Sequence, residues 1–305
     1  MSISGATRLY GVVGDPVGHS LSPLIHNRWI KEAGLDAVYV AIQLQSADPA
    51  GDLRLMAQDG AWPKNASNSS YSFPIIPPGL DERTLEDAVF SGLNVTLPHK
   101  AAALAAAARL SPEAKRIGAA NTLIRESGGW AANNTDIAGF SAALDHAMNY
   151  QKPSRVVLIG AGGAARAAAL VLAGLGVELA IVNRSRANAV ALANELAPKA
   201  ETADLAQLAS LAETADIVVN SASLGHSGAS LPVLPPGKGR PFFDMTYGKP
   251  AAGTLGAAQA AGWAPHDGLR MLVGQAAAAF KLWFDITPDS ATALAACEAA
   301  VKARA

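Results

Sequence analysis

Residues Arg155 to Ala169 read RVVLIGAGGAARAAA and constrain the fold more than any other stretch. Val156, Val157, Leu158 and Ile159 form a short apolar run rich in β-branched residues. Such a run suits a strand buried on both faces of a parallel sheet. Gly160-Ala161-Gly162-Gly163-Ala164-Ala165 follows and fits G-x-G-x-x-A. In this pattern the first glycine permits a tight turn, the second lets backbone approach a pyrophosphate, and the small last residue lets helix and sheet pack closely. Ala164 to Leu172 is then the expected helix, its N-terminal amides aimed at the phosphates. A glycine-rich turn alone is a weak signal. Between a strand and a helix it reads as a dinucleotide site rather than a bland βα turn.

The next expected strand, Glu178 to Val182, ends in Asn183-Arg184-Ser185-Arg186. A NAD site usually carries an acidic residue about 20 positions after the glycines, on the ribose 2′-hydroxyl. Asn183 and Arg184 stand there instead. A carboxylate repels a 2′-phosphate and an arginine attracts it, so the turn points to NADP. The bland reading is a solvated basic loop. One charge-assisted hydrogen bond, about 1.5–3 kcal/mol, corresponds to roughly 10- to 150-fold preference.

A chain of 305 residues has length for two domains with sizeable cores. A net charge of −1 gives no reason to expect nucleic acid or an anionic membrane surface as a partner. The one cysteine, Cys297, excludes an intrachain disulfide and suits a reducing cytosol. No basic stretch followed by an apolar one opens the chain, so no signal peptide and a cytoplasmic location are expected. Asn65-Ala66-Ser67 and Asn68-Ser69-Ser70 match the glycosylation pattern, which without secretion reads as coincidence. Val156 to Val182 is the most apolar region, but Arg166, Glu178 and several glycines interrupt it, so no membrane span is expected. The six histidines are scattered, and no metal site is indicated.

Taken in order, Leu9 to Val13 reads as a first strand running into GDPVGHSLSP. Pro23 fits the first turn of a helix and Ser22 its N-cap. Ser20 and Ser22, two apart, can equally hold a small polar ligand. His26 on that helix reads as packing or surface. Val38 to Leu44 alternates like a strand. Residues 47–80 read as loop-rich, either a lid or, the favoured reading, a surface insertion. Asp81 to Phe90 is expected to be a helix. Gly92 to Leu97 is another strand, stopped by Pro98, and Lys100 opens an alanine-rich helix through Leu110. A lysine at a helix start is disfavoured by the dipole, which hints at a duty besides solvation. His99 beside it reads as an ordinary surface histidine. Ile117 to Ile124 leads into a strand, and WAANNTDIAGF leads into a helix over Asp136–Met148, with Thr135 or Asp136 available as its cap. Further on, Ala187 to Leu196 reads as a helix, and Asp216 to Asn220 and Pro241 to Met245 as strands. This alternation from 155 to 270 argues for a doubly wound parallel sheet, with ligands at the carboxyl ends of its strands. Gln275 is polar at the start of a long helix through Phe284, and a last helix covers Asp289 to Ala303.

The segments YGVVGDPVGHSLSP, NVTLPHK, GAANTL, NNTD, GAGGAA, NRS, DMTY and GLRMLVGQ resemble, in order and over most of the chain, those of the shikimate dehydrogenase family, which includes quinate/shikimate dehydrogenases. The resemblance implies an α/β protein of two domains. Residues 1–137 and 271–305 would form an α/β substrate domain, and residues 138–270 a doubly wound, parallel-sheet Rossmann domain for NADP. It implies reversible reduction of 3-dehydroshikimate to shikimate with NADPH, in the route to chorismate and the aromatic amino acids, by a monomer or homodimer. Carried over by motif, Lys100 and Asp136 would be the catalytic pair. Ser20, Ser22, Asn94, Thr96, Asn121, Tyr247 and Gln275 would hold the substrate's carboxylate and hydroxyls. Gly160, Ala161, Gly162, Gly163, Ala164, Asn183, Arg184, Ser185, Met245 and Gly268 would line the NADP site. Lys100 would donate a proton to the developing alkoxide or only polarise the carbonyl, while Asp136 would hold the ammonium or accept a substrate hydroxyl.

The chain departs from the family pattern at several positions. Ile137 replaces a common glycine, Ser185 the usual threonine, and Asn188 a second arginine for which Arg186 can stand in. Arg270 occupies a position where a small residue is common. Two other functions compete. A quinate or dual quinate/shikimate dehydrogenase using NAD or NADP is the nearer, although Ser22 is the shikimate-like residue where threonine is more quinate-like. A non-catalytic NADP-binding sensor is the other, which the presence of both Lys100 and Asp136 argues against.

Overall fold

The computed structural model describes residues 6–58, 69–77, 79–80, 85, 89–222 and 231–304. The chain divides into two compact units, Met1–Thr135 with Ala276–Cys297, and Asp136–Gln275 with Glu298–Ala305.

The first unit is built on a mixed sheet. Arg8–Gly14 (β1) is buried from Leu9 onward, and helix Ser22–Glu32 (α1), with Pro23 in its first turn, provides the crossover to a parallel neighbour, Ala37–Ser46 (β2). The described parts of residues 47–80 hold more regular structure than expected. Asp48 caps helix Pro49–Leu55 (α2), accepting from Gly51 N at 2.9 Å, and Ser69–Ile75 (β3) pairs antiparallel with β2. The polar residues of β3 belong to an edge strand, which needs no apolar alternation on its open side. Most of the expected helix at Asp81–Phe90 lies outside the described residues, and Phe90 opens a strand, Phe90–Val95 (β4). Helix Lys100–Ala106 (α3) ends before Leu110 because the next residues are captured by backbone pairing. Ala108 N donates to Trp130 O at 2.8 Å and Ser111 N to Ala132 O at 2.9 Å, making Arg109–Leu110 (β5) a short strand. Ser111 caps Pro112–Ile117 (α4), and left-handed Gly118 ends it. Thr122–Glu126 (β6) and Gly129–Asn133 (β7) form a hairpin. The sheet order is β3-β2-β1-β4-β6-β7-β5.

The second unit alternates helix and strand. Its elements are Asp136–Ala147 (α5), Arg155–Ile159 (β8), Gly163–Leu175 (α6), Glu178–Val182 (β9), Arg186–Leu196 (α7), Glu201–Ala203 (β10), Leu208–Ala212 (α8), Ile217–Asn220 (β11), Pro241–Asp244 (β12), Lys249–Ala260 (α9) and Ala264–His266 (β13). All six strands are parallel, in the order β10-β9-β8-β11-β12-β13. The order reverses between β8 and β11, which is where a doubly wound sheet binds its ligand. Val156, Leu158, Ile181 and Val219 pack one face against Leu172, Leu192 and Phe243, while Val157, Ile159, Val182 and Val218 pack the other against Leu208, Leu234 and Trp263. Leu269–Phe284 (α10) and Ser290–Arg304 (α11) close the chain. Among the described residues no helix is long and apolar enough to cross a membrane.

Candidate active site

In the first unit, the candidate residues gather at the carboxyl ends of β1 and β4. The loops leaving these strands are joined: Thr96 N donates to Val13 O at 2.8 Å and Asp15 N to Leu97 O at 3.0 Å. A Cβ on Gly14 would stand 2.4 Å from the Thr96 methyl, so glycine is what lets the loops pass this closely. Ser20 Oγ accepts from Ser22 N at 3.2 Å and shapes the serine loop. Ser22 is not the helix cap, as the sequence also allowed. Leu21 holds that position, and no side chain caps α1. Ser22 is buried instead.

Asn94, at the end of β4, donates through Nδ2 to Asn121 O at 3.2 Å and to Thr122 Oγ1 at 3.1 Å, and its Oδ1 accepts from Tyr39 Oη at 2.7 Å. Asn121 is buried, and its Oδ1 accepts from Thr135 N at 2.7 Å, Thr122 Oγ1 at 3.0 Å and Thr135 Oγ1 at 3.2 Å. The same network thus fixes the residue directly ahead of Asp136. Lys100 is half-buried as the first residue of α3, and its carbonyl accepts from Ala120 N at 2.9 Å. His99 is not an ordinary surface residue: it is buried, with Nε2 2.8 Å from Leu44 O. The bond ties the turn before Lys100 to β2, and nothing in the sequence pattern distinguishes it from surface exposure.

His26 is fully buried among rings, stacked on Tyr39 at 4.3 Å and edge-on to Trp29 at 5.7 Å. Neither ring nitrogen has a hydrogen-bond partner among the described residues, and burial holds its pKa down at about 3. Of the sequence alternatives for His26, packing is the one realised.

In the second unit, the expected cofactor residues lie at the carboxyl ends of β8, β9, β12 and β13. Gly160 has φ +107°, and a Cβ there would stand 2.5 Å from Ser221 Oγ. Gly162 is the N-cap of α6, with no side-chain cap and no acidic residue in the first turn. A Cβ on Gly162 or Gly163 meets no atom within 4 Å. The chain itself therefore demands glycine at 160, but at 162 and 163 it leaves open space over the helix amides, which suits an approaching phosphate. After β9, Asn183 Nδ2 donates to Ser185 O at 3.0 Å, and the side chains of Arg184, Ser185, Arg186 and Asn188 are exposed. Gly268 packs on the Met245–Thr246 backbone, where a Cβ would stand 2.2 Å from Met245 O.

Asp244, the last residue of β12, is a buried hub that the sequence reading passed over. It accepts from Asn220 Nδ2 at 2.8 Å, Thr246 N at 2.8 Å and Thr246 Oγ1 at 2.6 Å, and from the Thr254 hydroxyl. A lone carboxylate closing the apolar run PFF was the available signal. It shapes the turn carrying Met245 and Tyr247. Tyr247 and Gln275 are half-buried in this unit. Arg270 stands beside His146 and His266, whose pKa values lie below the usual imidazole range, from burial first and then from charge repulsion.

Three family models match: shikimate / quinate 5-dehydrogenase over 143–227, shikimate dehydrogenase substrate binding domain over 12–58 and 80–123, and shikimate 5'-dehydrogenase C-terminal domain over 268–298. The chain is 42% identical to the shikimate dehydrogenase (NADP(+)) of Hyphomonas neptunium, over 97% of this chain and 99% of that protein. The crystal structure of shikimate 5-dehydrogenase from Thermus thermophilus in complex with NADP(H) and shikimate is 33% identical, with a TM-score of 0.74, over 96% of this chain and 99% of that one. Quinate dehydrogenase from Corynebacterium glutamicum in complex with NAD is 29% identical, with a TM-score of 0.70, over 94% and 97%.

Proposed function

The chain belongs to the shikimate dehydrogenase family, and from that premise we propose how its own residues carry the reaction. It is an oxidoreductase that reduces 3-dehydroshikimate to shikimate, reversibly, with NADPH, in aromatic amino acid biosynthesis. Hydride transfer to the ketone carbon is the chemistry that a bound NADPH supplies. The Lys100 ammonium stabilises the oxygen that becomes negative and gives it a proton, which completes the alcohol. Asp136 accepts a hydrogen bond from a substrate hydroxyl and fixes the ring. Ser20, Ser22, Asn94, Thr96, Asn121, Tyr247 and Gln275 hold the substrate's carboxylate and hydroxyls. Gly160 to Ala164 receive the pyrophosphate, with Asn183, Arg184 and Ser185 at the 2′-phosphate and Met245 and Gly268 lining the nicotinamide end. Residues 1–137 and 271–305 are the substrate domain in this reading, and 138–270 the cofactor domain. The chain's one cysteine, the buried Cys297, leaves no intrachain disulfide to form, which is compatible with the cytoplasm as its location.

The observation that carries this reading is the network of half-buried Asn94 with buried Asn121, Thr122 and Thr135, which ends at the peptide leading into Asp136. Such a network is costly unless every member is paired, and it places polar groups where an apolar core would serve stability better. A second reading, dual use of quinate or NAD, draws on one feature: Asn188 stands where a second arginine would grip the 2′-phosphate, and it is exposed.

Initial rates with shikimate or quinate, each paired with NADP or NAD, separate the readings. Turnover confined to shikimate with NADP is expected. Comparable rates with quinate or NAD would move the protein to the dual-specificity branch, and NADP binding without any turnover would leave only a sensor.

A further inference from the structure

Asn94, among the candidate substrate residues of the first unit, meets a side chain that the strand pattern hides in the core. Tyr39, within β2, is fully buried. Helix α1 grips its backbone: Asn27 Nδ2 donates to Tyr39 O at 2.7 Å, and Tyr39 N donates to Asn27 Oδ1 at 2.8 Å. His26, the preceding residue of the helix, stacks on its ring with an interplanar angle of 8°. The hydroxyl of Tyr39 meets Asn94 Oδ1 at 2.7 Å. Backbone, ring and hydroxyl are therefore each held by a different group.

The direction of these bonds is determined. Asn121 O can only accept, and Asn94 Nδ2 lies 3.2 Å from it, so the amide oxygen of Asn94 is the atom turned toward Tyr39. A phenol has one proton, and here it goes to Asn94. A single proton thus orients one amide at the substrate end of the sheet.

We propose that Tyr39 is a positioning residue for the substrate: through its hydroxyl it orients Asn94 and so sets substrate affinity. The proposal rests on the role assigned above to Asn94. Tyr39 touches neither substrate nor cofactor, and its effect falls on binding rather than on the chemical step. In kinetic terms a loss of uniform binding raises KM and leaves kcat nearly unchanged.

Tyr39→Phe removes one oxygen and keeps the ring on His26. We expect the shikimate KM to rise about 5- to 20-fold while kcat and the NADP KM stay within about twofold, as for loss of one oriented hydrogen-bonding group. In an Asn94→Ala background the same change is expected to add less than about twofold, because the group through which it acts is gone. An unchanged shikimate KM, or the same fold-change in both backgrounds, overturns the proposal. A wild-type protein that does not turn over shikimate defeats the functional reading alone. The Tyr39 proposal is then decided by nitrogen-15 NMR of the Asn94 side-chain amide. Its two protons are expected to exchange faster with solvent in Tyr39→Phe than in wild type, and equal exchange overturns it.

Discussion

Tyr39, Asn94, Thr122 and His26 lie inside the first unit, among its strands and its first helix. The second unit is arranged the other way. Its strands β8, β9 and β11 are apolar along their buried length, and polar residues such as Asn220 and Asp244 come only where a strand ends. One unit has its candidate site threaded through the core, and the other carries its site on turns above an apolar sheet. A fold of the second kind stands on hydrophobic burial alone, and its turns can change without disturbing the sheet. In the first kind, a change of function is also a change of packing.

Lys100→Ala tests this division most strongly, because Lys100 opens α3 at the rim rather than in the core. We expect kcat to fall about 10²- to 10⁴-fold with little change in melting temperature, as for a positioned acid-base group. A fall below about fivefold would remove Lys100 from the proton step.

Within the glycine turn, the same division separates two neighbours. Gly160→Ala forces a side chain into a left-handed backbone against Ser221 and is expected to cost about 2–3 kcal/mol of stability. Gly162→Ala has no such conflict and is expected to cost about 1 kcal/mol or less, as an N-cap change, while raising the KM for NADPH. Urea unfolding and cofactor titration of the two variants decide it. Equal stability losses would mean that the turn is built for the fold rather than for a ligand.

The second unit was the more legible in sequence for the same reason. Runs such as VVLI and ELAIV can be little else than buried parallel strands once a glycine turn and an alanine-rich helix follow. The GAGGAA and NRSR segments lie in turns, where local residue types report local chemistry. In the first unit the alternating pattern of VYVAIQL announced a strand, but no pattern marks Tyr39 as hydrogen-bonded rather than merely packed. His99 and His26 were hidden likewise, since burial of a lone histidine is decided by partners far along the chain. Residues 69–75 misled through their polarity, because an edge strand such as β3 needs little apolar surface. Asp244 was legible in principle, as a carboxylate ending an apolar run.

Acid sharpens the contrast between the units. His26 is neutral in the folded protein because burial lowers its pKa to about 3 from an ordinary 6.5. Below pH 6.5 the unfolded chain takes up a proton that the folded one refuses. The stability this histidine leaves intact at neutral pH is therefore lost as pH falls from 6.5 toward 3. At pH 5 the loss is about 2 kcal/mol. Tyr39, Trp29, Phe280 and Trp283 surround the ring and offer no carboxylate to compensate. Urea midpoints at pH 7 and pH 5, with NMR of the imidazole, check this. A His26 that titrates near pH 6 in the folded protein would show that its cage admits water.

The smallest expected effect belongs to the most exposed group. Arg184 stands on the turn after β9, open to solvent, and takes no part in packing. Arg184→Ala should leave the unfolding curve of the protein where it is. The bond it makes to a 2′-phosphate is partly screened by water, so its loss is expected to cost about 1–2 kcal/mol, or roughly 5- to 30-fold in the KM for NADPH. The KM for NADH, which lacks that phosphate, should not move. If both cofactors weaken alike, the 2′-phosphate is gripped elsewhere, and Arg186 is the next residue to change. If neither weakens, discrimination lies in the backbone of the turn, and the second unit would resemble the first in building its specificity into the fold.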